Sequence, residues 1–419
     1  MFRKEYLING VPVVMESLKG VRSVVIGIWV KVGSRNEKPE QNGISHFLEH
    51  MFFKGTKRRT AKDIAIETDS LGGELNAFTS RETTTFYVKV LDEFLEKGLD
   101  LLTDMFLNSV FPAEDIEKEK KIIKEEIKMV EDTPDDYIHD LFNQTIWGLS
   151  GIGQPVLGRR ETIRTFTRDN LMAHIRKYYG TKDIVISCAG NFDHEHLIAM
   201  LNKNLGKLRR GSEPERGAPP GFHSKVRMFG KDLSEAHLCL GFKGIHQASK
   251  DRYCLFTLNT ILGAGVSSRL FQEIREKRGL AYAIYSFIAS YSDTGLWGIY
   301  AGVSRKKVRE VIDLILGEMH HLKDTITDVE LQRAKNHLKG NIILGLESTS
   351  SRMNNIARQE IYHGKYFSPK EIMDEIDSIT LQQIRELALS VIRKDMLALA
   401  VYGPVQEESL RGILDGQAP

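Results

Sequence analysis

Runs of aliphatic and β-branched residues alternate with helical patterns along the first half of the chain. Short apolar runs bounded by glycine, proline or polar residues predict strands, and apolar residues that recur every three or four positions predict helices. The predicted strands lie within residues 7–17, 24–34, 83–90 and 183–190. The predicted helices start near Ile44 and cover residues 91–108, 112–131, 137–146 and 168–179.

The second half of the chain repeats this order of elements. It holds a strand at 237–242, a helical stretch at 255–277, a β-rich stretch at 281–303, helices at 306–322 and 328–342, and a strand within 394–403. Because similar segments recur roughly 210 residues apart, the pattern predicts two copies of one unit. The predicted class is α+β, with two homologous α/β-sandwich-like domains, each a mainly antiparallel sheet covered by helices.

A proline- and glycine-rich segment separates the two copies. Residues 208–222 carry few apolar side chains, which is typical of a linker. We therefore predict an N-terminal domain at 1–207 and a C-terminal domain at 223–419, joined by this linker.

The motif HFLEH at residues 46–50 carries the most specific chemical signal. On a helix His46 and His50 lie on one face, one turn apart, where both imidazoles can bind a single zinc ion. Glu49 lies beside them and can take a proton from a metal-bound water. This H-x-x-E-H order reverses the common H-E-x-x-H zinc motif.

A catalytic zinc site usually has three protein ligands, so a third ligand is expected elsewhere. The acidic helix predicted over 112–131 offers candidates, of which Glu119 and Glu126 are seven residues apart and share one face. Glu125 points about 100° away and is less favoured. Spacing does not choose between Glu119 and Glu126. Three isoleucines that flank this face are expected to turn it inward, namely Ile122, Ile123 and Ile127.

Charge and composition exclude several other classes of protein. The chain has 419 residues, with 58 Lys and Arg against 56 Asp and Glu, so it has no strong basic excess of the kind that binds nucleic acid. We see no signal peptide and no apolar run long enough to span a bilayer. Three cysteines without a C-x-x-C pattern indicate a reducing compartment. We therefore expect a cytoplasmic protein that contacts neither nucleic acid nor membrane.

Together these motifs resemble the pitrilysin, insulysin and mitochondrial processing peptidase family of zinc metallopeptidases, the inverzincins. In that family a glutamate follows H-x-x-E-H after about 75 residues, which is the spacing from His50 to Glu126. The resemblance implies that His46, His50 and Glu126 bind Zn²⁺ and that Glu49 is the general base. Glu119 matches a further family glutamate, which supports the ligands from the same helix.

Two further segments match the family where it contacts substrate. Residues 72–88 resemble the strand beside the metal site, which binds the peptide backbone by strand addition; the usual contacts there correspond to Asn76 and Ala77. Residues 267–286 resemble an element of the second half in which Arg275 holds a substrate carbonyl and Tyr282 helps to stabilise the oxyanion. At an offset of 215 residues, Ala334 and Asn341 replace Glu119 and Glu126, so the second copy lacks the metal motif.

The resemblance also implies an assembly and an activity. Larger relatives enclose peptides between four such units, whereas this chain has two, so we expect a dimer. Because one chain carries both the metal motif and the Arg275 and Tyr282 pair, a homodimer is favoured. The expected function is zinc-dependent endopeptidase activity on unfolded peptides or flexible protein segments within a clamshell chamber. The alternative is a non-catalytic peptide-binding or scaffold subunit of the same fold.

Overall fold

The fold consists of two sheets, each accompanied by helices. The computed structural model describes residues 1–149, 151–211, 219–405, 410, 412 and 413. Its strands are β1 Phe2–Tyr6, β2 Pro12–Ser17, β3 Ser23–Val30, β4 Glu74–Thr79, β5 Thr84–Leu91, β6 Ile184–Gly190, β7 Val226–Gly230, β8 Ala236–Gly244, β9 Ala281–Ser290, β10 Gly295–Val303 and β11 Leu397–Gly403. Its helices are α1 Ile44–Met51, α2 Ala61–Ser70, α3 Leu95–Asn108, α4 Ala113–Glu131, α5 Pro134–Trp147, α6 Arg160–Ile163, α7 Arg168–Tyr178, α8 His194–Leu205, α9 Arg252–Leu262, α10 Val308–Thr325, α11 Asp328–Gly345, α12 Thr349–His363, α13 Pro369–Asp377 and α14 Leu381–Val391.

The two sheets share one topology. The first has the strand order β1-β2-β6-β3-β5-β4 and the second has the order β7-β11-β8-β10-β9. In each sheet one pair is parallel, β2 with β6 and β7 with β11, and the other pairs are antiparallel. Apart from the extra β1, every strand of the first sheet has a counterpart in the second. The predicted duplication of a mainly antiparallel α+β unit is therefore confirmed.

The compact units differ from the predicted continuous domains in two segments. The first unit contains Met1–Met129, Ser150–Gly217 and Gly345–Tyr366, and the second contains Val130–Leu149, Ala218–Leu344 and Phe367–Pro419. The reason is that each unit includes a helix from the other half of the chain. Helix α12 covers the first sheet, where Met353, Ile356 and Ala357 are buried against β2, β3 and β6. Helix α5 packs against β8 and β11 of the second sheet.

One predicted helix is interrupted. The stretch predicted over 255–277 forms α9, then a bend, and then a short π-helix at Phe271–Glu276. Gly263 ends α9, where its carbonyl accepts a hydrogen bond from the Ser286 amide at 3.1 Å. A side chain at Gly263 would lie only 2.6 Å from that amide, so a continuous helix of ordinary residues does not fit there.

The remaining expectations concern the linker, the cysteines and membrane spans. Residues 208–211 and 219–222 of the predicted linker lie in neither a helix nor a strand, and the rest of it lies outside the described residues. The three cysteines are free and buried. Within the described part of the chain, every helix is too short or too polar to cross a bilayer.

Candidate metal centre

Helix α1 separates an apolar face from a chemically active one. Ile44, Phe47, Leu48 and Met51 recur at the spacing of one helix face and are fully buried in the core of the first unit. The opposite face carries His46, Glu49 and His50, and the helix packs against β4 and β5. Burial of the apolar face therefore fixes the direction in which the two imidazoles and the carboxylate point.

Glu126 of α4 meets both imidazoles. Its Oε2 atom lies 3.8 Å from His46 Nε2 and 3.7 Å from His50 Nε2. In the described part of the chain, these three residues form the one group of His, Cys, Asp or Glu side chains that could hold a metal ion, with the potential ligand atoms all within 4.8 Å of one another. Two imidazoles and a carboxylate form a ligand set typical of catalytic zinc.

The protonation states suit a metal ion. Burial, with a smaller effect of His50, lowers the pKa of His46 to about 3, so its imidazole is neutral at physiological pH and able to bind a cation. Glu126 Oε2 is buried without a hydrogen-bond partner among the described residues. A buried carboxylate oxygen without a partner is costly, and a cation between it and the two imidazoles would satisfy it. The residues present therefore fit a zinc ion.

Glu119 supports His50 from the other side of the ring. Glu119 Oε1 accepts the Nδ1–H of His50 at 2.7 Å, which leaves Nε2 free to face Glu126. Lys54 Nζ lies 2.7 Å from the second oxygen of Glu119. Burial alone would raise the pKa of Glu119, but the contacts with His50 and Lys54 outweigh it and hold the pKa below its usual range. Glu119 is thus an ionised, buried partner of His50, one of the two candidate ligand histidines.

Helix α4 gives Glu119, Glu125 and Glu126 different surroundings. Glu126 faces both imidazoles, Glu119 faces the outer nitrogen of His50, and Glu125 is exposed. The expectation for the flanking isoleucines is right for Ile123 and Ile127, which are buried, and wrong for Ile122, which is 50% exposed. Ile122 precedes Glu126 by one turn, and unlike Ile123 and Ile127 it is not part of the buried core of the first unit.

Glu49 is half-buried between the imidazoles and β4. Burial raises the pKa of its carboxyl, and interactions with Thr79 and with the charge of His50 act in the opposite direction. One carboxylate oxygen is buried without a hydrogen-bond partner among the described residues. A carboxylate with a raised pKa beside a metal-binding group is suited to accept a proton from water.

Strand β4 forms one edge of the first sheet. Within the described residues it pairs with β5 alone, so its other side is an unpaired sheet edge of the kind that an extended peptide can join, although the Ala77 N–H already donates a hydrogen bond to Asn76 Oδ1 at 2.8 Å. Asn76 is exposed on this strand and Ala77 is buried. The structure thus places the two predicted substrate contacts on an edge strand against which α1 packs.

Arg275 and Tyr282 form a group within the second unit. Arg275 lies in the π-helix at Phe271–Glu276, a kind of helix that is rare and often found at functional sites. Its guanidinium carbon lies 4.8 Å from the ring centroid of Phe271 and 5.7 Å from the ring centroid of Tyr282. Tyr282 lies on the edge strand β9 and is 79% exposed. The cation and the phenol are therefore adjacent and accessible within their own unit.

Two residues near the candidate metal centre were not predicted from the sequence: Lys54, which pairs with Glu119, and Glu37, which contacts the start of α1. Lys54 follows the motif by one turn and pairs with Glu119, but a lone lysine before a basic stretch gives no signal. Glu37 hydrogen-bonds the first residues of α1 from a charged segment that is typical of an exposed loop.

Comparison with known proteins identifies the family. Residues 12–160 match the family described as insulinase (peptidase family M16), and residues 165–338 match the family described as peptidase M16 inactive domain. "Uncharacterized zinc protease YmxG" of Bacillus subtilis is 43% identical over 397 residues, which cover 94% of this chain and 97% of the relative. "Uncharacterized zinc protease SCO5738" of Streptomyces coelicolor is 38% identical, with 99% of this chain and 92% of the relative covered.

Solved structures with lower sequence identity share the fold. A protease from Helicobacter pylori superposes with a TM-score of 0.88 at 22% identity, covering 96% of this chain and 99% of the other. A chain of Complex III2 from Candida albicans gives a TM-score of 0.86 at 22% identity, covering 98% of this chain and 99% of the other. These two likenesses concern the fold alone. The family matches and the curated relatives confirm the resemblance drawn from the motifs, and this chain belongs to peptidase family M16, the insulinase family.

Proposed function

We propose that this protein is a zinc-dependent endopeptidase. The observation that carries the proposal is the convergence of His46 Nε2 and His50 Nε2 on Glu126 Oε2, with the Glu49 carboxylate on the same helix face. Two close curated relatives are named zinc proteases, which supports zinc as the metal and peptide-bond hydrolysis as the reaction.

His46, His50 and Glu126 would hold the zinc ion. When bound, zinc polarises a carbonyl group and makes water more acidic. Glu49 takes the proton of the attacking water and then delivers it to the leaving amine, which a carboxyl with a raised pKa can do in both directions. Glu119 keeps His50 in the tautomer whose Nε2 lone pair faces the metal position.

Substrate binding is proposed to use elements of both units. The free edge of β4 at Asn76 and Ala77 offers main-chain groups to an extended peptide, so unfolded peptides and flexible protein segments are the proposed substrates. We assign Arg275 to a substrate carbonyl and Tyr282 to the oxyanion, in line with the exposure of the phenol and its closeness to the guanidinium. We also propose a homodimer that encloses the substrate, since one chain carries both groups of residues.

The alternative is a non-catalytic subunit of the same fold. The described geometry favours the enzyme, because a scaffold needs neither three convergent candidate metal ligands nor a half-buried carboxylate beside them. One structural neighbour is titled as a peptidase M16 inactive domain from Pseudomonas fluorescens, at 18% identity and a TM-score of 0.89, and that likeness concerns the fold alone.

The test compares wild type with Glu49→Gln and Glu126→Ala, using an unstructured peptide and metal analysis. Wild type is expected to hold about one zinc per chain and to cleave the peptide. Glu49→Gln is expected to keep zinc and to lose about 10²–10⁴-fold in kcat, because it removes the proton acceptor alone. Glu126→Ala is expected to lose both zinc and activity.

Two outcomes would overturn the proposal. A wild type that holds zinc but cleaves nothing across a broad peptide library would favour the scaffold. A Glu49→Gln variant with unchanged kcat would remove the assigned base. Light scattering tests the assembly, and a homodimer predicts twice the 47.5 kDa of one chain.

A further inference from the structure

Helix α1 is short and carries every residue of the H-x-x-E-H motif. It has eight residues, about two turns, and an isolated helix of that length is unstable in water. The ligand nitrogens and the Glu49 carboxylate therefore depend on whatever fixes the start of the helix. A rotation of α1 about its axis would move both imidazoles relative to Glu126 on α4.

The N-terminus of α1 has no cap of its own. The first four backbone N–H groups of a helix lack partners within the helix, and the side chain of the preceding residue often accepts a hydrogen bond from one of them. Here that residue is Gly43, which has no side chain and adopts a left-handed conformation with φ of +95°. The partner must therefore come from elsewhere in the chain.

Glu37 supplies this partner from outside the helix. Its Oε2 accepts the Gly43 N–H at 2.6 Å and the Asn42 side-chain amide at 3.0 Å, and its Oε1 accepts the Ser45 N–H at 2.8 Å. Ser45 directly precedes the ligand His46. The Glu37 carboxylate thus accepts hydrogen bonds from two backbone N–H groups at the start of α1, those of Gly43 and Ser45.

The segment around Glu37 is itself held firmly. Gln154 donates a hydrogen bond to the Glu37 carbonyl at 3.1 Å, and Thr162 donates one to the Asn42 carbonyl at 2.6 Å. Asn42 donates to the Pro155 carbonyl at 2.9 Å. Glu37 is 6% exposed, and Asn42 and Gln154 are fully buried. These bonds hold the Glu37 segment in place, while Asn42 Oδ1 and Gln154 Oε1 are buried without a hydrogen-bond partner among the described residues.

We infer that Glu37 is a positioning residue, which sets the rotation of α1 and thereby the placement of His46, Glu49 and His50 against Glu126. The inference rests on the proposed zinc site. Glu37 lies nine positions before His46, the first of the proposed ligands. The inference adds it to the residues that the proposed peptidase requires. Burial raises the pKa of Glu37 to about 7, so its carboxyl is partly ionised at neutral pH, and the dipole of α1 favours the ionised form.

The main test is Glu37→Gln, with the cobalt-substituted protein as a spectroscopic probe. The amide keeps the size of the carboxylate but turns one acceptor into a donor that faces N–H groups of α1 or of Asn42. We expect a changed visible spectrum of bound Co²⁺, a Kd for zinc raised about 10–100-fold, and a lower kcat with KM nearly unchanged. In the metal-free protein, the amides of 44–51 should exchange hydrogen faster than in wild type.

A matched control separates positioning from general stability. Asp63 caps α2 of the same unit through the Thr60 amide at 2.8 Å, so Asp63→Asn weakens a helix cap away from the metal centre. This control should leave the Co²⁺ spectrum and the zinc Kd unchanged. If Glu37→Gln does not fold, Glu37→Asp keeps the charge but is too short to reach both backbone groups, and the same changes are expected in smaller measure.

The inference fails if Glu37→Gln leaves the Co²⁺ spectrum, the zinc Kd and the exchange of 44–51 the same as wild type. These readouts do not require catalysis. A wild type that binds metal but cleaves no peptide would therefore overturn the proposed peptidase, while the role of Glu37 would still be decided by the spectrum and by the exchange rates.

Discussion

The contact of Gly43 with residues 157 and 158 should set the stability of the metal-binding helix. A Cβ at Gly43 would lie 2.6 Å from Gly158 Cα, 2.8 Å from the Leu157 carbonyl oxygen and 2.9 Å from Ile163 Cδ1. Two of these atoms are backbone and cannot rotate away. Gly43→Ala must therefore separate two chain segments at the point where α1 begins.

The expected cost of Gly43→Ala has two parts. An alanine in the left-handed region costs about 1–2 kcal/mol, and crowding in a well-packed region costs about 1–3 kcal/mol more. Gly10→Ala separates the parts, because Gly10 has a similar φ of +83° and a Cβ added there would have no neighbouring atom within 4 Å. The second variant should therefore show only the conformational cost, and only at its own turn.

Hydrogen exchange of the α1 amides, residues 44–51, measures the difference directly. The free energy of local opening should fall by about 2–5 kcal/mol in Gly43→Ala, where both parts act on α1, and should stay near the wild-type value in Gly10→Ala, because that turn lies outside α1; the difference corresponds to exchange about 30- to 5,000-fold faster. Local exchange avoids the assumption that a chain of two units unfolds in a single step. Equal exchange rates in the two variants would refute the claim that the contact with residues 157 and 158 holds α1.

Three further predictions concern the surroundings of the metal centre. Glu119→Ala should raise the zinc Kd about 10–100-fold in competition with a chelator, and Glu119→Gln, which retains an acceptor for His50, should raise it less. Asp104→Ala should lower the free energy of unfolding in urea by about 1–3 kcal/mol, because Thr56 loses its acceptor and Arg58 and Arg59 each lose one carboxylate partner while keeping Asp100. Burial lowers the pKa of His174 to about 3, so the unfolded chain binds a proton there between pH 6.5 and 3 and the folded chain does not. Acidification over that range should therefore cost wild type up to about 1.4 kcal/mol per pH unit more than His174→Gln, as followed by thermal unfolding; equal pH dependence in both proteins would contradict this sign.

The fold was predictable wherever one short segment carried its own pattern. The strands at 24–34 and 183–190 and the helix at 112–131 follow from apolar spacing alone, and they appear as β3, β6 and α4. The exchange of α5 and α12 between the compact units was not predictable, because the amphipathic pattern of a helix shows that a face is buried and not against which sheet. Likewise, the break after Leu262 depends on the approach of Ser286 to Gly263, a contact between distant segments.

The candidate site shows the same division between local and distant information. His46, Glu49 and His50 lie within one helix, so their common face follows from helical geometry. The contacts of Glu119 and Glu126 depend on which turn of α4 lies opposite α1. The spacing of residues along α4 does not predict that turn. Glu37 lies in a stretch of charged residues, and its burial arises only because the backbone of residues 42–45 folds over it.

Comparison of the two units bears on why the candidate metal ligands are present in the first. Both units have the same strand order, yet the positions of Glu119 and Glu126 are taken by Ala334 and Asn341 in the second. Ala334 is buried in the apolar core of the second unit. Asn341 Nδ2 lies 3.3 Å from Nδ1 of His337, which is on the same helix. The architecture therefore forms without a His, His and Glu cluster at these positions. Since burying two imidazoles and two carboxylates costs free energy that an apolar residue such as Ala334 avoids, their presence in the first unit is better explained by the proposed metal site than by stability of the fold.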